Sequence, residues 1–412
     1  MGAIRRQRQR AGGCRWLRYV RKKKILIELP SPFGRGLGLG EGLVRNENTS
    51  TNLISCKSLS PTLSQREKEI ATLSSPDSNQ LGLVCAVDLG GTNLRAANID
   101  RDGCAHERVK RSTPKSNKAE DIVSAILAAV RQCEAKSEKR GAQVHTASVV
   151  VPGSVHAETG VVINAPNIPC LLGYKLGAAL EDELGRRVLL ENDANAAALG
   201  EMWRGAARGC RTIICLTLGT GVGGGIILDG KLWRGVDGTA GEIGHMSVEP
   251  FGGVKCKCGN FGCLEVYASA TAVVRLTREG LAQHPSSRLH SISTDQLTSA
   301  DVHRAAVEGD PLALDVFHSV GVHLGIAMAS IVDIFNPEMI VVGGGVSAAC
   351  DLFARFAQAE VMKRAFSVPA QRCRITKAEC GDDAGLLGAA LLAFQKREPD
   401  FSHQQAQEAQ EI

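Results

Sequence analysis

One imidazole and three thiols crowd a single stretch of this chain: His245, then Cys256, Cys258 and Cys263 in the run Cys-Lys-Cys-Gly-Asn-Phe-Gly-Cys. Such spacing lets four ligands close a tetrahedral Zn²⁺ site, and four protein ligands leave no open position, so the expected ion is structural. A redox cysteine pair is the plainer alternative. Gly259 and Gly262 let the short loop fold back on the ion. Glu242 lies three residues before His245, and Glu265 lies two after Cys263, so folding around the metal would fix both carboxylates close together. If His245 binds through one ring nitrogen, the other is free to hydrogen-bond a substrate hydroxyl. The bland alternative for Glu242 and Glu265 is a pair of solvated surface glutamates.

A second constellation is Glu191-Asn192-Asp193-Ala194-Asn195, where polar groups precede an Ala-rich helical run. Asp is a good N-cap, so Asp193 could simply cap that helix. Capping needs one side chain, however, and leaves Asn192 unexplained. Sugars present hydroxyl pairs that want an acceptor and a donor side by side, which Asn192 and Asp193 supply. With a phosphoryl acceptor in place, the Asp193 carboxylate can orient the hydroxyl and take its proton as transfer proceeds.

Three glycine turns complete the chemistry. Asp88-Leu89-Gly90-Gly91-Thr92-Asn93 lies between two strand candidates, where paired glycines admit phosphate oxygens to backbone amides and Thr92 and Asn93 add donors. Asp88 can approach a phosphate-bound Mg²⁺ through water. The alternative is a plain hairpin turn; Walker A and dinucleotide fingerprints are absent. Gly219-Thr220-Gly221-Val222-Gly223 is the second such turn, and two of them favour a cleft that holds a polyphosphate from both sides. Gly343-Gly344-Gly345 follows a strand candidate and suits contact with adenine and ribose, although a close-packed strand-to-helix turn would need the same glycines.

Positioning these groups requires α/β architecture. Leu83 to Asp88 is a buried strand candidate, Leu94 to Asp100 alternates, and Asp100-Arg101-Asp102-Gly103 signals a hairpin. Ala119 to Cys133 has helical periodicity, and Ala147 to Val151 and Arg187 to Leu190 read as strands. Asp193 to Trp203 is a helix; Thr212 to Leu218 and Gly223 to Leu228 pair around the second turn, echoing the first as a duplicated nucleotide-binding unit would. Helix Pro311 to Phe335, strand Met339 to Val342 and helix Ala384 to Gln395 follow. The expected organisation is a disordered basic and Gly/Ser-rich extension over 1–80 and a smaller α/β domain over 81–192 completed by helix 382–396. A larger domain over 193–381 carries the metal segment, and 397–412 is a polar tail.

Composition narrows the class. Of 412 residues, 44% are hydrophobic and 22% charged, as in soluble globular proteins. Only 4% are aromatic against 45 glycines, which suits tight turns better than base stacking. The net charge of +5 arises mainly in the Arg/Lys-rich first stretch, so no specific nucleic-acid partner is expected for the rest. Scattered cysteines such as Cys85, Cys215 and Cys350 read as buried free thiols in a reducing cytosol. No secretory peptide and no uninterrupted apolar run of membrane-spanning length is read, so a cytoplasmic location without a membrane partner is expected.

The chain resembles the ROK family, named for repressors, open reading frames and kinases, from about Leu81 to about Phe394. The marks are Asp88-Leu89-Gly90-Gly91-Thr92, Glu191-Asn192-Asp193-Ala194-Asn195, Gly241-Glu242-Ile243-Gly244-His245 and the Cys256/Cys258/Cys263 segment ending in Leu264-Glu265. The resemblance implies a two-domain, actin-like ATPase fold of the ribonuclease H-like kind that binds ATP in its cleft and closes over a hexose. Asp193 would be the base activating the 6-hydroxyl of glucose, with Asn192, Glu242, His245 and Glu265 on the other hydroxyls and Gly153 and Asn167 lining the site. Asn93 stands where many members have Lys, leaving Arg95 and Mg²⁺ to compensate. Ile168 replaces a Trp that often follows the Asn167 position, which loosens the sugar assignment. Family dimers make a homodimer an expectation. The rivals are an N-acylmannosamine kinase or fructokinase, a polyphosphate donor, and a sugar-responsive repressor. The repressor would need a helix-turn-helix that residues 1–80 do not spell, since 59 to 73 offer one short helix.

Overall fold

The computed structural model describes residues 82–397. The extension expected over 1–80, with its short helix at 59 to 73, and the tail from 398 onward lie outside the described residues.

The first half of the described chain runs β1 (Leu83–Leu89), β2 (Asn93–Ile99), β3 (Ala105–Ser112), α1 (Ala119–Glu138), β4 (Val144–Val151), β5 (Ser154–His156), β6 (Val161–Asn164), α2 (Leu176–Leu184), β7 (Val188–Asn192) and α3 (Asp193–Arg204). It continues through β8 (Ile213–Leu218), β9 (Val222–Leu228), β10 (Lys231–Leu232), α4 (Glu265–Ala268), α5 (Ala270–Gly280), α6 (Ser299–Val307) and α7 (Pro311–Phe335). Then come β11 (Met339–Gly343), α8 (Cys350–Arg364), α9 (Ser367–Arg372), β12 (Arg374–Lys377) and α10 (Ala384–Arg397).

Two mixed sheets repeat one pattern. The first has the order β3-β2-β1-β4-β7 and the second β10-β9-β8-β11-β12. Each opens with an antiparallel meander and adds two parallel strands beside its first strand. The anticipated echo between the two glycine-turn hairpins is therefore an echo of whole sheets. Elements that sequence periodicity left out, among them β3, β12 and the β5–β6 hairpin, are edge strands or a two-stranded piece with few buried positions to mark them.

Strand alternation divides the core. Cys85, Val87 and Leu89 of β1 pack with Ile122 and Ile126 of α1, while Val84 and Ala86 face the opposite layer. Ile213 and Cys215 of β8 face that same layer, with Ala196 and Leu199 of α3 and Leu386, Ala389 and Ala393 of α10. The outer face of β8, Ile214 and Leu216, packs with Phe317, Leu324 and Met328 of α7. The order is helix, sheet, helix pair, sheet, helix. Among the described residues, α7 is the helix long and apolar enough to span a bilayer; Asp315, His318, His323 and Asp333 interrupt it, and most of its apolar window is buried.

The α3–α10 layer is tight because both helices lack bulk where they cross. A Cβ on Gly388 would collide with the Ala196 carbonyl, and one on Gly200 with the Ala384 carbonyl. Glu201, fully buried, accepts hydrogen bonds from the amides of Glu379 (3.1 Å) and Cys380 (2.8 Å), fixing the segment that leads into α10. Ala is a better helix former than Gly, yet Gly388→Ala should lose about 1–3 kcal/mol in urea unfolding through backbone overpacking.

Candidate active site

Strand β7 delivers the polar run at its C-terminal end, and the turn into α3 arranges it. Asn192 is the N-cap: its Oδ1 accepts from the Asn195 amide at 3.0 Å. Asp193 is thus the first helical residue, and the capping explanation for it gives way to Asn192. Asn192 Nδ2 donates to the Gly153 carbonyl and to Asp193 Oδ1, each at 2.9 Å, and the Ala194 amide also donates to Oδ1 at 2.9 Å. Both bonds fall on Oδ1. The Asp193 side chain is exposed toward the cleft, while protein packs behind its carboxyl. That lost hydration pushes its pKa up to about 6; the Ala194 hydrogen bond opposes the rise and the negative charge of Asp88 adds to it.

Behind this corner lies Glu191, 2% exposed. Its Oε1 accepts from the Asn192 amide (3.1 Å) and Asn195 Nδ2 (3.0 Å), and its Oε2 takes a two-pronged contact from Arg234 (2.8 and 2.7 Å). Arg234 heads the loop that leads to Glu242. A Cβ on Gly238, in the same loop, would come 2.9 Å from the Val155 carbonyl, so the loop lies against β5.

Glu242 reaches β5 as well, accepting from Ser154 Oγ at 3.2 Å, and its other oxygen is 4.0 Å from His245 Nε2. Gly153 has φ of +132°, and a Cβ there would collide with the Asn164 carbonyl. Its role is to bring its own carbonyl to Asn192 and Ser154 to Glu242. Asp193, Asn192, Gly153, Glu242 and His245 therefore form one connected set through Ser154.

His245, Cys256, Cys258 and Cys263 also converge, with all four ligand atoms within 4.8 Å of one another. His245 Nδ1 is 3.8 Å from Cys256 Sγ, and Cys258 Sγ is 3.7 Å from Cys263 Sγ. A tetrahedron with metal–sulfur bonds of about 2.3 Å has edges of about 3.8 Å, so the set fits one four-coordinate ion. Nδ1 faces the thiols, and Nε2 is the nitrogen left toward Glu242. Glu265 lies on the Cys256 side of the same cluster: its Oε2 accepts from the Val222 amide at 3.1 Å, and its Oε1 lies 3.9 Å from Cys256 Sγ.

The glycine turns gather at the same sheet ends. In the first, the Gly90 amide donates to the Asn93 carbonyl at 2.8 Å, and Gly91, Thr92 and Asn93 are exposed. A Cβ on Gly91 would come 3.3 Å from Asn167 Cβ, which places Asn167 beside this turn. Asp88 is held by Arg95 at 2.5 Å, and burial raises its pKa against that charge. Arg95, expected to compensate near the phosphates for the lysine that Asn93 replaces, also reaches Asp382 at 3.5 Å and is matched by two carboxylates here. In the second turn, Gly219 has open space around it, whereas a Cβ on Gly223 would collide with Thr217 Oγ1 at 2.6 Å and come 3.0 Å from Ala194 Cβ. The glycine at 223 therefore sits close to both the paired strand and the start of α3 next to Asp193. Gly344, at φ +81°, lies against the backbone of Leu218, so the third turn abuts the second; Gly345 is open and Gly343 packs on Ala378. An open cleft of about 340 Å³ beside the second turn is lined by Thr220, Thr271, Arg275 and Arg278.

Ser154, Arg234, Glu201 and Asp382 escaped the sequence reading. Each acts through a partner far along the chain, and only the motif residue Glu191, acidic yet next to a strand of apolar residues, hinted that a distant cation was needed.

Two sheets of one design, glycine turns at their ends and a carboxylate at the start of the helix between them define an α/β architecture of two similar mixed-sheet halves. The chain belongs to the ROK family, which matches residues 84–396. A glucokinase of Halalkalibacterium halodurans is 37% identical over 313 residues, 75% of this chain and 94% of that protein. The crystal structure of a ROK family glucokinase from Streptomyces griseus in complex with glucose and AMPPNP matches with a TM-score of 0.66 at 37% identity, over 76% of this chain and 100% of that one. The DNA-binding transcriptional repressor Mlc of Escherichia coli is 31% identical over 271 residues, 66% of each chain.

Two outcomes are expected from this geometry. Arg234→Met, which strands the buried Glu191 charge, should lower unfolding free energy by about 3–5 kcal/mol, and adding Glu191→Gln should recover part of the loss. Metal analysis should find one ion per chain in the purified protein and none held by a Cys256→Ser, Cys258→Ser double variant.

Proposed function

We propose that this chain transfers the γ-phosphoryl group of Mg²⁺-ATP to the 6-hydroxyl of glucose, with Asp193 as general base. ATP-dependent sugar-kinase chemistry is what the family membership and the glucokinase relatives support. The observation that carries the base assignment is the Asn192 cap: it keeps both hydrogen bonds to Asp193 on Oδ1 and leaves Oδ2 for a hydroxyl proton. A pKa near 6 suits that task, because the group is ionised at neutral pH yet basic enough to accept the proton.

In this reading Asn192, Glu242, His245, Glu265 and Asn167 orient the sugar, and Gly153 shapes its floor. Gly90, Gly91, Thr92, Asn93, Gly219, Thr220, Gly221 and Gly223 receive the phosphates, and Gly343, Gly344 and Gly345 the adenosine. Asp88 would hold Mg²⁺ through water, and the ion would neutralise charge on the phosphates. Zn²⁺ in the His245/Cys256/Cys258/Cys263 set would fix the loops that bear Glu242 and Glu265. The two sheets would form an actin-like pair of domains, 81–192 with 382–396 and 193–381, whose closure excludes water as a competing acceptor. A cytoplasmic setting fits the free state of every described cysteine.

Initial rates with Mg²⁺-ATP and glucose, N-acetylmannosamine, fructose or mannose test the proposal. Glucose should be the best acceptor, and Asp193→Asn should lose about 10²–10⁴-fold in rate. Turnover of no sugar by the folded, metal-loaded protein, or an undiminished Asp193→Asn rate, would overturn it.

A further inference from the structure

The segment that leaves the Cys/His cluster grips the second glycine turn at three points. Glu265 Oε2 accepts from the Val222 amide at 3.1 Å. The Ala270 amide donates to the Gly219 carbonyl at 2.8 Å, and Thr271 Oγ1 donates to the Thr220 carbonyl at 2.8 Å. A Cβ on Gly221 would collide with Glu265 Oε2, so the turn and the carboxylate are fitted to each other. Upstream, Cys263 pairs with Ser247, and the amide of fully buried Leu264 donates to the Met246 carbonyl at 2.8 Å. Glu265 therefore starts α4 from a position set by the cluster two residues earlier, and the other end of that four-residue helix leads straight to Ala270 and Thr271.

We infer that Glu265 is a positioning residue for the phosphate donor, transmitting the geometry of the metal cluster to the second glycine turn in addition to facing the acceptor. The inference rests on the proposed use of that turn for ATP phosphates. Backbone amides bind phosphate well only when already aimed, and glycines at 219 and 221 give the turn little stiffness of its own. The external grip supplies the order. Loss of either the cluster or the carboxylate then weakens nucleotide binding before any sugar is present.

Calorimetric titration of full-length protein with a non-hydrolysable ATP analogue and Mg²⁺, without sugar, tests this. Glu265→Ala, metal-loaded and folded by circular dichroism, should bind about tenfold more weakly or worse, whereas Glu265→Gln, which still offers a carbonyl to the Val222 amide, should stay within about threefold. Glu183→Gln, at a surface ion pair with Arg131 that has no part in this contact set, should match the wild type. Amide hydrogen exchange at Gly221 and Val222 should quicken in Glu265→Ala and in chelator-treated protein. Nucleotide affinity and exchange unchanged in Glu265→Ala would overturn the inference while leaving the kinase proposal intact. A wild-type protein that binds no ATP analogue would overturn both.

Discussion

How the chain leaves β7 governs the rest of the cleft. A helix that begins at the edge of a sheet exposes unsatisfied amides, and the nearest polar side chain normally satisfies them. Here Asn192 does so, which frees the carboxylate one residue later. That arrangement needs Asn192 to be held from two sides, by the Gly153 carbonyl and by Glu191. Glu191 in turn is buried and needs Arg234, so the reactive corner depends on an ion pair between segments 43 residues apart. Desolvation makes such a pair costly to break, although apolar residues of similar volume often pack as well; its value here is the register it enforces.

Repetition of the sheet pattern puts a glycine turn on each side of this corner. The layer of α3 and α10 joins the two sheets closely because Ala and Gly dominate the crossing, and the same closeness sets Gly223 against Ala194. The Cys/His cluster adds a second anchor that local hydrogen bonds alone would not supply to a loop this rich in glycine. It places His245 toward Glu242 and Glu265 toward the second turn, so in the proposed function the acceptor and donor sides share one origin.

Much of this was legible from residue order. Long buried strands such as β1 and β8, and the helices α3, α7 and α10, carry enough apolar periodicity to be located nearly to their ends. The His/Cys cluster and the Asn192–Asp193 pair were visible because their residues are neighbours in sequence. What stayed hidden was long-range: the Arg234–Glu191 pair, the Ser154–Glu242 contact and the burial of Glu201. No local pattern distinguishes Arg234 from a surface arginine, since its partner is chosen by the packing of a loop on β5. The cap alternative for Asp193 could likewise be set aside only by seeing that Asn192 meets the Asn195 amide.

The central claim is that Asp193 acts as a base whose proton affinity is raised by its crowded setting. Its most direct test is the pH dependence of kcat/KM for the sugar at saturating Mg²⁺-ATP. The account predicts a rate that climbs with pH through an apparent pKa of about 6 and then levels, because the ionised carboxylate is the active form. An acid limb near the ordinary aspartate value of about 4, or a limb that persists unchanged in Asp193→Asn, would contradict it.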